Sequence, residues 1–452
     1  MKTIWLPLIL GACAIFLPDT LAQESKPSGA FAIPATDEGL PGTGPIRRYD
    51  WFQNLWSKRR AAWAASVEKD QGAVVFLGDS ITQGWGDEFK NAFPGLKTAN
   101  RGISGDTTRG MLIRLEEDVL SLHPKAVIML MGTNDLEESA TPETIAANLK
   151  LIIEGLKKHS ADMPIVLCQV MPSSATKKRP ADAIKKVNEL YASAVKGDPQ
   201  ITVIDTWTLF ANAEGDAKAE EFPDLLHPND TGYAKWAAAL RPIFATLGFL
   251  ETEADSFQPE EGFVSLFNGK DLTGWGFRPM PGPPAKPKNP NAKAKPNPNA
   301  PVKVVITEPV SFDGKTSSHD GRYVAINGRL VVTTPAEGRR IQQLWTTREF
   351  PKDFTLRLEF RATPNADSGV FIRQPQLQCR DYLLAGPYTE LKHHKPQDWN
   401  ELEVTVKGGV AHATCNGEVL EEALPVPATG PIGLEGDRGQ MEYRRIRIKE
   451  LP

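Results

Sequence analysis

Five short candidate strands, at residues 73–77, 98–101, 126–131, 165–170 and 201–205, are separated by amphipathic stretches at 108–122, 142–159 and 181–195. A further amphipathic stretch at 231–247 follows the last run. Four of the runs are continuously apolar, the pattern of parallel strands covered on both faces. Such β-α alternation packs in few ways, and it predicts a doubly wound α/β domain over residues 46–250. Ligands then belong at the carboxyl ends of the strands.

The pattern changes near residues 251–262, which read as a linker. Beyond them the chain alternates strictly, as in Phe354-Thr355-Leu356-Arg357-Leu358-Glu359-Phe360-Arg361 and Leu402-Glu403-Val404-Thr405-Val406-Lys407. Asn327-Gly328 and Asn416-Gly417 are hairpin-turn pairs. One apolar and one polar face per strand predicts an antiparallel β-sandwich over 263–452. Within it, 281–303 is a Pro/Asn/Ala/Lys stretch without an acid, expected as an extended, disordered surface loop. With 452 residues, two domains are also what length alone suggests.

Met1-Lys2 followed by a mostly apolar run to Leu17, with Thr20-Leu21-Ala22 before Gln23, reads as a signal peptide over 1–22. The mature protein is then expected to be secreted or periplasmic and not held in a membrane. Cys13 sits in a lipoprotein-like box, but the apolar run continues past it, so anchoring there is the less favoured reading. Residues 23–45 are rich in Pro, Gly, Ala and Ser and read as a flexible tether. Three cysteines follow the signal region, so a sizeable core rather than disulfides must hold the fold; Cys379 and Cys415 are the one candidate pair. A formal charge of −4 offers no basic face for nucleic acid. No cysteine spacing suggests a metal site, and no cofactor is expected.

Gly78-Asp79-Ser80-Ile81-Thr82 falls where the first strand should end and a helix begin. A serine there projects into the crevice, with its N–H available to an oxyanion. It needs a base to become a nucleophile. Of seven histidines, His227 in Asp224-Leu225-Leu226-His227-Pro228 follows the fifth strand and so lies at the same edge. Asp224 can accept Nδ1–H while Nε2 faces Ser80, the requirement of a Ser-His-Asp triad. Gly105 after the second strand and Asn134 after the third are candidate oxyanion donors, Gly105 because a residue without Cβ lets the backbone approach substrate. Asp79 reads as a structural hydrogen-bonding residue.

These blocks resemble the SGNH, or GDSL-type, hydrolases from about Val74 to Tyr233. Gly-Asp-Ser-Ile-Thr matches the nucleophile block, Gly105 the glycine block, Asn134 the asparagine block and Asp224-Leu-Leu-His227 the Asp-x-x-His block. The resemblance implies a flavodoxin-like sheet and ester hydrolysis by Ser80, His227 and Asp224. It also implies oxyanion donation from Ser80 N–H, Gly105 N–H and the Asn134 amide, without metal or cofactor. The stretch from Phe263 to Trp275, together with Ala366–Arg373, Trp399-Asn400-Glu401 and Gly430–Glu435, resembles the 3-keto-disaccharide hydrolase family. That implies a concanavalin-like jelly roll acting on glycosides. The family's acidic strand is replaced here by Leu377-Gln378-Cys379-Arg380-Asp381-Tyr382, so binding rather than cleavage is expected of this domain. Trp275, Trp345, Trp399 and Tyr382 are candidates to stack on sugar rings, with burial in the sandwich as the alternative for each.

The expected function is removal of O-acyl groups, O-acetyl foremost, from carbohydrate outside the cytoplasm, with the second domain holding a glycan surface. Three alternatives stand beside it: a lipid or lysophospholipid esterase, a bifunctional protein whose second domain cleaves glycosides, and a carbohydrate-binding protein with an inert esterase fold.

Overall fold

The computed structural model describes residues 29–250, 256–279, 306–333 and 342–452. The signal-peptide reading, the Cys13 box and the 281–303 loop lie outside them. The first unit is built on five parallel strands, β1 (Val74–Gly78), β2 (Thr98–Gly102), β3 (Ala126–Leu130), β4 (Ile165–Cys168) and β5 (Ile201–Ile204). They lie in the order β2-β1-β3-β4-β5, the flavodoxin-like arrangement.

The helices that cover this sheet or carry residues of its carboxyl edge are α1 (Asp50–Ala65), α2 (Ser80–Gly84), α3 (Thr108–Ile113), α4 (Thr133–Glu137), α5 (Pro142–His159), α6 (Ala181–Val195) and α7 (Asp230–Thr246). Alternate strand residues divide between the two faces, because successive side chains on a strand point oppositely. Val75, Leu77, Val127, Met129, Ile165 and Leu167 pack on one side with Leu149 and Ile152 of α5 and Ile184 of α6. Val74, Phe76, Ile128, Val166 and Cys168 pack on the other with Trp236, Leu240 and Phe244 of α7. Both faces being covered explains the unbroken apolar runs. The start of α5 is set locally: Thr141 Oγ1 accepts from Thr144 N–H, and Pro142 follows with no N–H to leave unpaired.

Two expectations are corrected in this unit. The stretch 108–122 is not one helix. It breaks at Arg114, whose buried guanidinium donates to Asp106 Oδ2, Gly78 O and Arg101 O. Three tertiary acceptors outweigh the periodicity there. Residues 29–45 do not behave as a tether. Ile33 is buried beside Phe52 and Trp56 of α1, Asn148 bonds both the N–H and the carbonyl of Thr43, and Arg109 reaches Pro41 O, Gly44 O and Asp37. The segment is a strap, held by polar side chains that reach its backbone.

The second unit is a β-sandwich of an eight-stranded and a six-stranded sheet. Strand Phe354–Ala362 alternates strictly between buried and half-buried residues. Its Phe354, Leu356, Leu358 and Phe360 meet Val370, Ile372, Ile432 and Leu434 from the opposite sheet. Asn327 and Gly328, both at positive φ, turn the hairpin between Tyr323–Ile326 and Arg329–Val332. Trp275 and Tyr382 are fully buried in this core, so they are packing residues and not sugar platforms. Cys379 and Cys415 are buried free thiols. The two units touch: Gln440 donates to Pro242 O and to Thr246 Oγ1 of α7, Asn365 donates to Asp205 Oδ2, and Leu384 packs against the α7 side of the first core.

Candidate active site

Ser80 is the first residue of α2, immediately beyond β1. Asp79 caps the helix, its Oδ1 accepting the Ile81 N–H at 2.9 Å. The N–H groups of a helix's first turn have no partner within the helix and face outward past the strand's end. His227 reaches the serine from the loop between β5 and α7, with Nε2 2.9 Å from Ser80 Oγ. Its Nδ1 lies 2.7 Å from Asp224 Oδ2. With the proton on Nδ1, the imidazole donates to Asp224 and accepts from the serine.

The loop geometry explains the three-residue spacing. Asp224 Oδ1 accepts two backbone N–H groups, from Leu226 at 3.0 Å and His227 at 2.7 Å, and Leu225 takes a left-handed φ of 61° between them. This is an Asx-type turn, which folds the chain back so that both side chains point the same way. Burial alone would raise the Asp224 carboxyl. The N–H and ring of His227, together with the Leu226 N–H, outweigh that and hold it below its ordinary value.

Gly105 lies on the loop after β2 and Asn134 in the first turn of α4, just beyond β3, at the same edge of the sheet. They are tied together, since Asn134 Nδ2 donates to Asp106 O at 2.9 Å. Asn134 Oδ1 accepts from Arg179 Nη2 at 3.0 Å. The structure adds a reason for glycine at 105. Its φ is +87°, and a Cβ there would sit 2.6 Å from the Trp51 ring and 3.0 Å from Arg47 Nη1. The positive φ and the closeness of Trp51 and Arg47 each favour a residue without Cβ there. A cleft of about 680 Å³ opens at Ser80 and His227, walled by Ser104, Lys90, Asn229, Asp230 and Tyr233 among others. Every described residue that lines it belongs to the first unit.

Residues 76–235 match the GDSL-like Lipase/Acylhydrolase family, and residues 262–449 match the 3-keto-alpha-glucoside-1,2-lyase-like domain. Residues 76–235 form an SGNH/GDSL acylhydrolase domain. The acylhydrolase is similar to platelet-activating factor acetylhydrolase IB subunit alpha1 of Pongo abelii, 27% identical over 195 residues, which cover 42% of this chain and 84% of the relative. It is also similar to subunit alpha2 of the Bos taurus protein, 25% identical over 223 residues, covering 49% and 92%. Among solved structures, a GDSL-like lipase from Bacteroides thetaiotaomicron is 26% identical, covers 43% of this chain and 97% of its own, and has a TM-score of 0.36.

Sequence reasoning did not single out several residues that hold this acylhydrolase's site. Tyr233 of α7 donates its hydroxyl to Ile81 O at 2.9 Å, which locks the helix after His227 to the helix that carries Ser80. Arg179, 2% exposed, meets Asn134 from the segment between β4 and α6. Neither belongs to a short motif, and only the packing of separate crossovers joins them to the site.

Asp79 carries a stability prediction. Its carboxyl is fully buried, Oδ2 has no hydrogen-bond partner among the described residues, and burial raises its pKa from 3.8 to about 6. A raised carboxyl favours the folded state below the unfolded value and loses that advantage as pH climbs through about 6. Asp79→Asn keeps an oxygen for the Ile81 N–H and carries no charge. Its stability relative to the parent should therefore rise between pH 4.5 and pH 8, by at most about 3 kcal/mol. Parallel thermal melts of both proteins at the two pH values measure this. A difference that stays constant with pH would mean that Asp79 ionises freely in the fold.

Proposed function

We propose that this acylhydrolase removes O-acetyl groups from carbohydrate outside the cytoplasm, with Ser80 as nucleophile. Ser80 Oγ attacks the ester carbonyl while His227 Nε2 takes its proton, and the Asp224 carboxylate stabilises the imidazolium. The Ser80 N–H, the Gly105 N–H and the Asn134 amide receive the charge that develops on the carbonyl oxygen. Collapse expels the sugar hydroxyl, which carries the proton from His227. Water then attacks the acetyl-serine by the same route in reverse, releasing acetate.

The observation that carries the substrate class is the polar cleft wall. Ser104, Lys90, Asn229 and Asp230 suit a hydroxyl-rich alcohol, and a long acyl chain would need an apolar channel. The relatives' names, acetylhydrolases, favour a short acyl group. Those names also speak of platelet-activating factor, which keeps a lipid ester as the second reading. The test compares purified protein on aryl acetate, butyrate and octanoate and on acetylated xylan. Turnover should fall steeply with acyl length, with acetate released from xylan. Octanoate as the best substrate would overturn the carbohydrate reading.

The β-sandwich supplies the glycan-holding half of this proposal. Trp345 lies on the outer face of the six-stranded sheet, its ring over Gly433, where a Cβ would come within 2.6 Å, and beside Phe371 at 5.1 Å. Next to it the Glu435 carboxylate accepts from the amides of Gln343 and Gln376. An aromatic plane flanked by hydrogen-bonding groups suits a sugar ring. Trp345→Ala should weaken retention on insoluble polysaccharide about three- to tenfold and leave aryl acetate turnover unchanged. Undiminished retention in a pull-down would remove Trp345 from the reading. Trp399 is a poorer platform, since the guanidinium groups of Arg361 and Arg444 cover its ring.

A further inference from the structure

An asparagine side chain has two ends of nearly the same shape, one that only accepts hydrogen bonds and one that only donates. For Asn134 to serve an oxyanion, its NH₂ must face the reacting carbonyl and stay there. Nothing on α4 itself settles that orientation. We propose that Arg179 is the positioning residue that does so, an inference that rests on Asn134 acting as an oxyanion donor.

Arg179 Nη2 donates to Asn134 Oδ1 at 3.0 Å, and Asn134 Nδ2 donates to Asp106 O at 2.9 Å. A guanidinium cannot accept and a carbonyl cannot donate, so a flipped amide would set N–H against N–H and oxygen against oxygen. Both bonds would be lost inside a site where Asn134 is only 2% exposed. The amide nitrogen keeps a second hydrogen beyond the one given to Asp106, and that is the one left for substrate. The arginine is itself immobile. Nε donates to Thr133 O at 3.0 Å, Nη1 to Lys177 O at 2.6 Å, and Nη2 also to Glu137 Oε2 at 2.8 Å. Glu137 is shared with Arg47, which comes from the N-terminal side. Lysine could not replace this fork, since one ammonium cannot reach acceptors spread across a planar group. A cation on the amide oxygen also polarises the N–H bonds, which strengthens them as donors toward negative charge.

The test is a double-mutant cycle on aryl acetate hydrolysis, with kcat and KM measured for Arg179→Met, Asn134→Ala and the pair, and folding checked by thermal melts. Asn134→Ala should lower kcat by roughly 10²–10³ with KM little changed. Arg179→Met should lower kcat by about ten- to a hundredfold, also with KM little changed. In the Asn134→Ala background the arginine substitution should change kcat less than about threefold, because its effect passes through an amide no longer present. Arg179→Lys, which keeps the charge beside Glu137, should recover part of the loss, and it replaces Met in the cycle if the Met variant does not fold. Fully additive losses would overturn the positioning role and leave Asn134 as an oxyanion donor. An unchanged kcat in Asn134→Ala would overturn both.

Discussion

Ser80→Ala is expected to lower ester turnover by roughly 10⁵–10⁶-fold while the protein unfolds at nearly the parent temperature. The hydroxyl sits at the mouth of a cleft, and the hydrogen bond it makes there is to His227 Nε2, so removing one oxygen opens no core cavity. Alanine at the start of α2 keeps the backbone N–H and is a better helix former than serine. The loss should lie in kcat, with any remaining turnover due to the oxyanion donors alone. A fluorophosphonate should label the parent at Ser80 and leave the variant unlabelled, read by mass spectrometry of the peptide. Residual activity above about one percent of the parent would exclude Ser80 as the nucleophile.

The second large effect belongs to Asp224→Asn, and the reason is geometric. Asp224 Oδ1 already accepts two backbone N–H groups, those of Leu226 and His227, and only an oxygen can fill that place. An asparagine must therefore turn its NH₂ toward His227 Nδ1, where Oδ2 now lies at 2.7 Å. The imidazole is then forced into the tautomer with its proton on Nε2, facing Ser80 and unable to accept. Activity should fall about 10³–10⁴-fold, with the loop conformation preserved because both turn bonds survive. Asp224→Ala removes the turn bonds as well, so it should also shift the thermal melt. An Asn variant within tenfold of the parent would show that Asp224 anchors the loop without orienting the base.

Much of the first domain was open to inspection in the sequence. The helices Pro142–His159 and Ala181–Val195 run as their periodicity requires, and each strand begins or ends within two residues of its apolar run. The failures share a cause. The stretch 108–122 has helical periodicity, yet Arg114 leaves the helix to satisfy three distant acceptors. Residues 29–45 have the composition of a linker, yet buried side chains from α3 and α5 grip their backbone. Composition describes what a segment can do alone and is silent on what neighbours do to it.

The sequence by itself determined the alternation of strands and helices, the position of Ser80 at a strand's end, and the Asp-x-x-His turn. Each is written in a few adjacent residues, where side-chain period and local hydrogen bonding act directly. Only the tertiary structure decided that Arg179 pins the Asn134 amide, that Tyr233 ties α7 to α2, and that Trp275 and Tyr382 are core while Trp345 lies on an outer face. The partners in those contacts are as far as 152 residues apart. Their meeting depends on how whole crossovers stack against one sheet, a sum of many weak packing terms that no single residue pattern records.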